Sequence, residues 1–302
     1  MPTLIVLTGP TASGKTAAAL QVAEHFHAPI LNADSRQIYR DIPIGTAAPT
    51  AEEQARVPHY FVGTLALDDY YSAARYEAEV MELLPRLFAE RDVVVMSGGS
   101  MMYIDAVCNG IDDIPTISEE TRTMMRTRYE QEGLEPLLAE LRLADPEYYA
   151  QCDRRNYRRI IHALEVIYQS GKPFSSFRRG EVRERPFRII KIGLQRPRPE
   201  LFARINARVG QMMEQGWLDE VRRVMPYRHC NALNTVGYKE LFQVLDGVWP
   251  LDFALARIAK NTRVYAKKQI TWFAKDPAIH WLDAARPAAV IDFCEAKMAE
   301  TE

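Results

Sequence analysis

A glycine, four further residues and then Gly-Lys-Thr give Gly9-Pro10-Thr11-Ala12-Ser13-Gly14-Lys15-Thr16 the types and spacing of a phosphate-cradling loop. The chemistry follows from each part. The glycines let the backbone fold back and turn its N–H groups toward an anion at a helix N-terminus. Lys15 adds a point charge, and the Thr16 hydroxyl is a ligand for Mg²⁺. The flanks agree, because the apolar run Leu4–Leu7 precedes the loop and an Ala/Leu-rich stretch, 17–26, follows it. A diphosphate or triphosphate is the expected ligand. Whether that phosphate is transferred, hydrolysed or released does not follow from the loop.

Two further segments bear on that question. A nucleotide-hydrolysing protein with such a loop usually has an apolar strand ending in an acid that helps to hold Mg²⁺. Here Val93-Val94-Val95-Met96 runs into Ser97-Gly98-Gly99-Ser100 with no acid, which weakens the ATPase and GTPase readings. The one carboxylate ending an expected parallel strand is Asp34, followed by Ser35, Arg36 and Gln37. It suits either an N-cap for the next segment or a general base facing the second reactant. Arg36, Gln37 and Tyr39 beside it offer donors and a stacking ring.

Metal and disulfide chemistry is disfavoured. Cys108, Cys152, Cys230 and Cys294 are scattered, with no C-x-x-C pair, and the six histidines form no H-x-x-x-H pattern. Four reduced, mostly buried thiols are expected. The apolar runs are far too short to span a bilayer, and a strand at the very start leaves no room for a signal peptide, so a cytoplasmic, membrane-free protein is expected. A monomer is the default.

The elements that must position these residues follow from pattern. Segments 4–7, 30–33, 93–96 and 189–194 read as strands, and helical stretches between the first three imply right-handed crossovers and a parallel sheet. Ligands gather beyond the carboxyl ends of such strands. The loop, Asp34–Gln37 and Ser97–Ser100 are therefore expected on one rim. Between the third and fourth strands lie helical patterns started by Ser118 and Asp145, and one over 156–169 with Ile160, Ala163, Leu164 and Ile167 on a face, ended at Gly171. This reads as an inserted helical lobe. Further helices are expected over 201–213 and 251–273. On the latter, Lys260, Arg263, Lys267 and Thr271 make one polar stripe, with Val264, Ala266 and Ile270 facing inward.

Charge is unevenly spread. Residues 153–208 carry fifteen Lys/Arg against five Asp/Glu, a net of +10, while the remainder carries −12. Such a block suits a polyanionic partner or a solvated, salt-bridged surface.

At this point the chain resembles the tRNA dimethylallyltransferases. The resemblance is carried by Thr8–Thr16, 34–39 (DSRQIY), 44–47 (IGTA), Gly98-Gly99-Ser100 to Tyr103, and 156–165 (NYRRIIHALE). It continues in 204–209 (RINARV), 236–240 (VGYKE) and 262–272 (TRVYAKKQITW), in the family's order over nearly the whole chain. Ser100 departs from the family's usual Thr, and His162 and Lys268 stand where Arg is common.

The resemblance implies an α/β protein, a P-loop NTPase-like parallel sheet flanked by helices, with an inserted all-helical lobe. The core is expected over 1–112 and 187–302, and the lobe over 113–186. It implies transfer of a dimethylallyl group from dimethylallyl diphosphate to the N6 amine of the adenosine beside the anticodon of tRNA. Gly9 to Thr16 would bind the diphosphate, with Mg²⁺ at Thr16. Lys15, Thr16, Arg204 and Arg208 would stabilise its departure, and Asp34 would serve the amine. Asp34, Ser35, Arg36, Gln37, Ser100, Arg158, Arg159, Ile160, Ile161, His162 and Lys239 would contact the anticodon stem-loop. A P-loop small-molecule kinase shares the loop and sheet, and an allyltransferase acting on free adenine nucleotides shares the rim. Neither has a use for the basic block.

Overall fold

The computed structural model describes residues 1–178 and 180–300, so Arg179 of the basic block lies outside the described residues. The chain divides into two compact units, Met1–Cys108 with Glu184–Glu302, and Asn109–Arg183.

The first unit is built on a six-stranded sheet: β1 (Thr3–Thr8), β2 (Ile30–Asn32), β3 (His59–Tyr60), β4 (Val93–Ser97), β5 (Arg188–Gln195) and β6 (Ile279–Asp283). The order is β3-β2-β4-β1-β5-β6, and every pairing is parallel. Leu7 and Asn32 both register with Ser97, so three strand ends meet at one rim.

Successive residues alternate between faces, and both faces are covered, which explains the unbroken apolar runs. Leu4, Val6, Leu31, Val94 and Met96 pack on one side with Tyr76, Val80 and Leu84 of the Ala73–Glu90 helix. Ile5, Leu7, Ile30, Val95 and Ile192 pack on the other with Ala19, Val22 and Ala23 of the Lys15–His25 helix, and with Val290 and Cys294. Cys108 and Cys294 are buried and all four cysteines are free. No helix of the described residues is long and apolar enough to cross a membrane.

Two strands were not legible in the sequence, β3 at the far edge and β6 beside β5. β6 ends in Asp283, a second strand-end carboxylate besides Asp34. Its Oδ1 accepts the Ala285 N–H at 2.9 Å, and it does not line the cavity described below.

The Leu251–Phe273 helix buries Ala254, Ile258, Ala266, Gln269 and Phe273. Lys260, Lys267 and Thr271 are exposed and Arg263 is half-buried. Val264 and Ile270 face solvent, contrary to the inward packing expected, because the buried face runs through Ala266, Gln269 and Phe273 instead.

The second unit has helices and a 3₁₀ turn but no strand among its described residues. Its core joins Met125, Leu137, Leu141, Ile160, Leu164 and Phe174. Ser118, Asp145 and Asn156 cap helices by accepting the N–H groups of Thr121, Tyr148 and Arg159, and Gly171 closes the last helix at φ 68°.

Candidate active site

The phosphate loop takes the shape its glycines allow. Gly9 sits at φ 143°, where a Cβ would lie 2.5 Å from the Leu194 carbonyl oxygen, and Gly14 sits at φ 108° as the N-cap of the Lys15–His25 helix. That helix has no side-chain cap and no acid in its first turn, leaving its positive end for an anion. Lys15 Nζ donates to the carbonyls of Gly9 (2.9 Å) and Pro10 (2.8 Å), closing the loop on itself. Ser13 Oγ is buried with no partner among the described residues.

The outer side of the loop is held by side chains from far along the chain. Arg204 Nε donates to the Ala12 carbonyl at 2.9 Å and Arg196 Nε to the Ser13 carbonyl at 2.7 Å. Arg208 Nη1 approaches Thr11 Oγ1 at 3.4 Å. Gln269 accepts the Thr11 N–H at 2.8 Å and donates to the Gly99 carbonyl at 2.8 Å. Ala12 tolerates φ 63° within this frame, packed against Leu201, Ile205 and Ala266.

A cavity of about 440 Å³ opens over the loop, and it is lined by Lys15, Thr16, Asp34, Gln37, Gly99 and Arg208 among others. The rim expected from the sequence is therefore assembled. Burial pushes the Lys15 ammonium down to about 8, opposed by Asp34 and reinforced by Arg208. Burial, with Arg204 nearby, also lowers Arg208, while Asp34 opposes the shift. The cavity thus holds two desolvated cations.

Asp34 caps the turn that follows it and also lines the cavity. Its Oδ1 accepts the N–H groups of Arg36 (2.9 Å) and Gln37 (3.4 Å), a local turn. Its Oδ2 has no hydrogen-bond partner among the described residues, and Asp34 lines the cavity.

Several expected contacts are occupied otherwise. Ser100 is buried, and its hydroxyl accepts the Ser35 N–H at 2.8 Å and donates to Ser35 Oγ at 3.1 Å, so it fixes the turn after Asp34. Gln37 Nε2 donates to the carbonyls of Thr46 (3.1 Å) and Ala47 (3.0 Å). Arg36 Nη1 donates to the Asn231 carbonyl at 2.7 Å. Tyr39 offers no stacking ring: it is buried, with its hydroxyl on the Asp69 carbonyl.

In the second unit Arg154, Arg155, Arg158 and Arg159 are exposed and His162 is half-exposed. The Ile160 side chain is fully buried in that unit's core. Ile161 also packs against that core. Lys239 is exposed on the first unit.

The basic block is not one surface. Arg185 donates to Glu77 and to the carbonyls of Ala106 and Val107, Arg188 to those of Lys297 and Met298, and Lys191 pairs with Asp276. These cations fasten the returning chain to the helices flanking the sheet and to the turn after the Leu251–Phe273 helix.

Among the described residues no group of three or more His, Cys, Asp or Glu is placed to hold a metal. The exposed Thr16 hydroxyl at the loop is an oxygen donor, and oxygen donors suit Mg²⁺, which keeps waters and takes phosphate oxygens.

Comparison with known proteins decides the family. A model described as IPP transferase matches residues 37–276. The chain belongs to the IPP transferase family. The tRNA dimethylallyltransferase 1 of Bacteroides thetaiotaomicron is 59% identical over 293 residues, covering 97% of this chain and 95% of that one. The tRNA dimethylallyltransferase 1 of Phocaeicola vulgatus is 58% identical over 291 residues, covering 96% and 97%. The crystal structure of a full-length tRNA isopentenylpyrophosphate transferase from Bacillus halodurans matches with a TM-score of 0.72 at 31% identity, covering 99% of this chain and 97% of that one. The fold is accordingly the P-loop NTPase-like α/β architecture, and the chain is a transferase.

In this IPP transferase three site residues escaped the sequence reading: Arg196, Gln269 and Tyr265. Tyr265 lines the cavity from the same helix as Gln269, one turn earlier, and burial pushes its phenol up to about 12. Both Gln269 and Tyr265 lie in the 262–272 motif that carries the resemblance.

Proposed function

We propose that this chain transfers the dimethylallyl group of dimethylallyl diphosphate to the N6 amine of the adenosine 3′ to the anticodon in tRNA, releasing diphosphate. The observation that carries the reading is a single cavity with Lys15 and Arg208 at the loop, Asp34 facing them, and no acid ending β4. A loop so equipped grips a group that leaves.

In the reaction the bond between the allylic carbon and the diphosphate oxygen breaks, a bond from that carbon to N6 forms, and one amine proton departs. Negative charge grows on the departing oxygen. The loop N–H groups, the Lys15 ammonium and the Arg208 guanidinium meet it in a desolvated pocket, where each such donor is worth about 10²–10³ in rate. The Thr16 hydroxyl would hold Mg²⁺ together with diphosphate oxygens, and that ion would supply further positive charge. Asp34 uses its open oxygen to accept an amine N–H, aim the lone pair and take the proton; such general base help is worth about 10²–10⁴.

The acceptor base has to leave the anticodon-loop stack, at a cost of a few kcal/mol. Phosphate contacts from Arg158, Arg159 and His162, with Lys239 and the Lys260–Thr271 stripe, offset that cost. A tRNA substrate puts the reaction in the cytoplasm, and every group used lies on one chain, so a monomer suffices. The test is incubation with labelled dimethylallyl diphosphate and either tRNA or AMP. Label is expected in tRNA; label in AMP alone, or ATP consumption without allyl transfer, overturns the reading.

A further inference from the structure

Away from the loop, one fully buried carboxylate has no part in the chemistry above. Glu220, on the Trp217–Val224 helix, accepts three hydrogen bonds: from the Ile44 N–H at 2.8 Å, the Gly45 N–H at 2.9 Å and the Tyr238 hydroxyl at 2.5 Å. The Tyr238 hydroxyl also approaches the Ile42 carbonyl at 3.3 Å. A buried charge is costly unless hydrogen bonds of this kind satisfy it. Here two of the three come from the backbone of one short segment, Pro43–Thr46.

The segment packs closely at Gly45. A Cβ on Gly45 would lie 2.2 Å from Trp217 Nε1 and 2.3 Å from the Tyr238 hydroxyl, and one on Gly237 would lie 2.2 Å from the Trp217 ring. Trp217 and Tyr238 are themselves fully buried. Immediately after the two N–H groups that Glu220 holds come Thr46 and Ala47, which line the catalytic cavity. Their carbonyls receive the Gln37 amide, and the Gln37 N–H reaches Asp34 Oδ1. A continuous chain of contacts thus runs from a buried carboxylate to the residue that serves the amine.

We propose that Glu220 is a positioning residue for the acceptor side of the reaction, setting through Ile44 and Gly45 the Thr46–Ala47 wall and, through that wall, Gln37 beside Asp34. The assignment rests on the function proposed above. None of these links touches the phosphate loop, so the donor side is expected to be spared.

The test compares Tyr238→Phe, which keeps the carboxylate and both backbone bonds, with Glu220→Gln, which turns a donor toward a backbone N–H. A displacement near 1 Å costs about 10²-fold. Glu220→Gln is expected to lower kcat/KM for tRNA by about that factor and Tyr238→Phe by about tenfold, each with diphosphate affinity unchanged. In a Gln37→Ala background neither substitution should add more than about twofold, because all three act through one wall. Should Glu220→Gln not fold, Tyr238→Phe alone and combined with Gln37→Ala carries the test. Wild-type kinetics in the soluble variants, equal loss of donor affinity, or losses that multiply with Gln37→Ala overturn the assignment. A wild-type enzyme that labels no tRNA overturns the functional reading beneath it instead.

Discussion

Gln269 and Thr11, 258 residues apart in sequence, meet through a 2.8 Å hydrogen bond in which the buried amide accepts the loop N–H. The same amide donates to Gly99, so one side chain joins a helix, the phosphate loop and the turn after β4. The two glycines of that turn then differ in what they tolerate. A Cβ on Gly98 would lie 2.1 Å from the backbone oxygen of Ala33, whereas one on Gly99 would lie 2.4 Å from Gln269 Nε2, the end of a side chain. Gly98→Ala is expected to destabilise the fold by about 3 kcal/mol. Gly99→Ala should cost about 1 kcal/mol while weakening donor binding, because the displaced amide releases Thr11. Thermal melts with and without dimethylallyl diphosphate separate the two.

Lys15 gives donor binding a pH dependence. Its ammonium is held at about 8 in the ligand-free cavity. A bound diphosphate favours the charged form and raises that value, so binding takes up a proton above pH 8. Affinity is expected to be full below pH 8 and to fall as pH rises through it, by up to about tenfold per unit. Titration calorimetry in buffers of different ionisation heat measures the proton directly. Lys15→Arg, charged throughout, should flatten the profile.

Asp34→Ala separates the two halves of the site. With the acceptor role proposed for Asp34, turnover should fall about 10²–10⁴-fold with diphosphate affinity little changed. Single-turnover rates and equilibrium binding on the same preparation check this, and equal losses in both would remove the assigned role.

In the helical unit, neighbours in sequence are expected to behave differently. Arg158→Ala and Arg159→Ala should each weaken tRNA binding and lower the slope of log affinity against log salt by about 1. Ile160→Val should leave that slope untouched and lower thermal stability by about 1 kcal/mol, as a core truncation does. Filter binding over a salt series reads both.

That contrast also shows what was legible in the sequence. Strands β1, β2, β4 and β5 announced themselves as apolar runs because both sheet faces are buried, and the 251–273 helix carried its own periodicity. β3 is two residues long, too short for any pattern, and β6 is an edge strand with mixed burial, so both escaped. The loop and Asp34 were found because their chemistry is local. Gln269, Arg196 and Glu220 were missed because each acts across more than 170 residues of chain, which spacing cannot encode. Ile160 was legible both ways, as part of a motif that the resemblance assigns to tRNA and as part of the apolar face that the structure buries.

The central claim is that the loop grips a departing diphosphate and not a phosphate to be transferred. The most direct test measures diphosphate released per adenosine modified, using dimethylallyl diphosphate and an anticodon stem-loop RNA without ATP. One diphosphate per N6-dimethylallyl adenosine is expected, with release dependent on the RNA. Release of orthophosphate, release without RNA, or a requirement for ATP would contradict it.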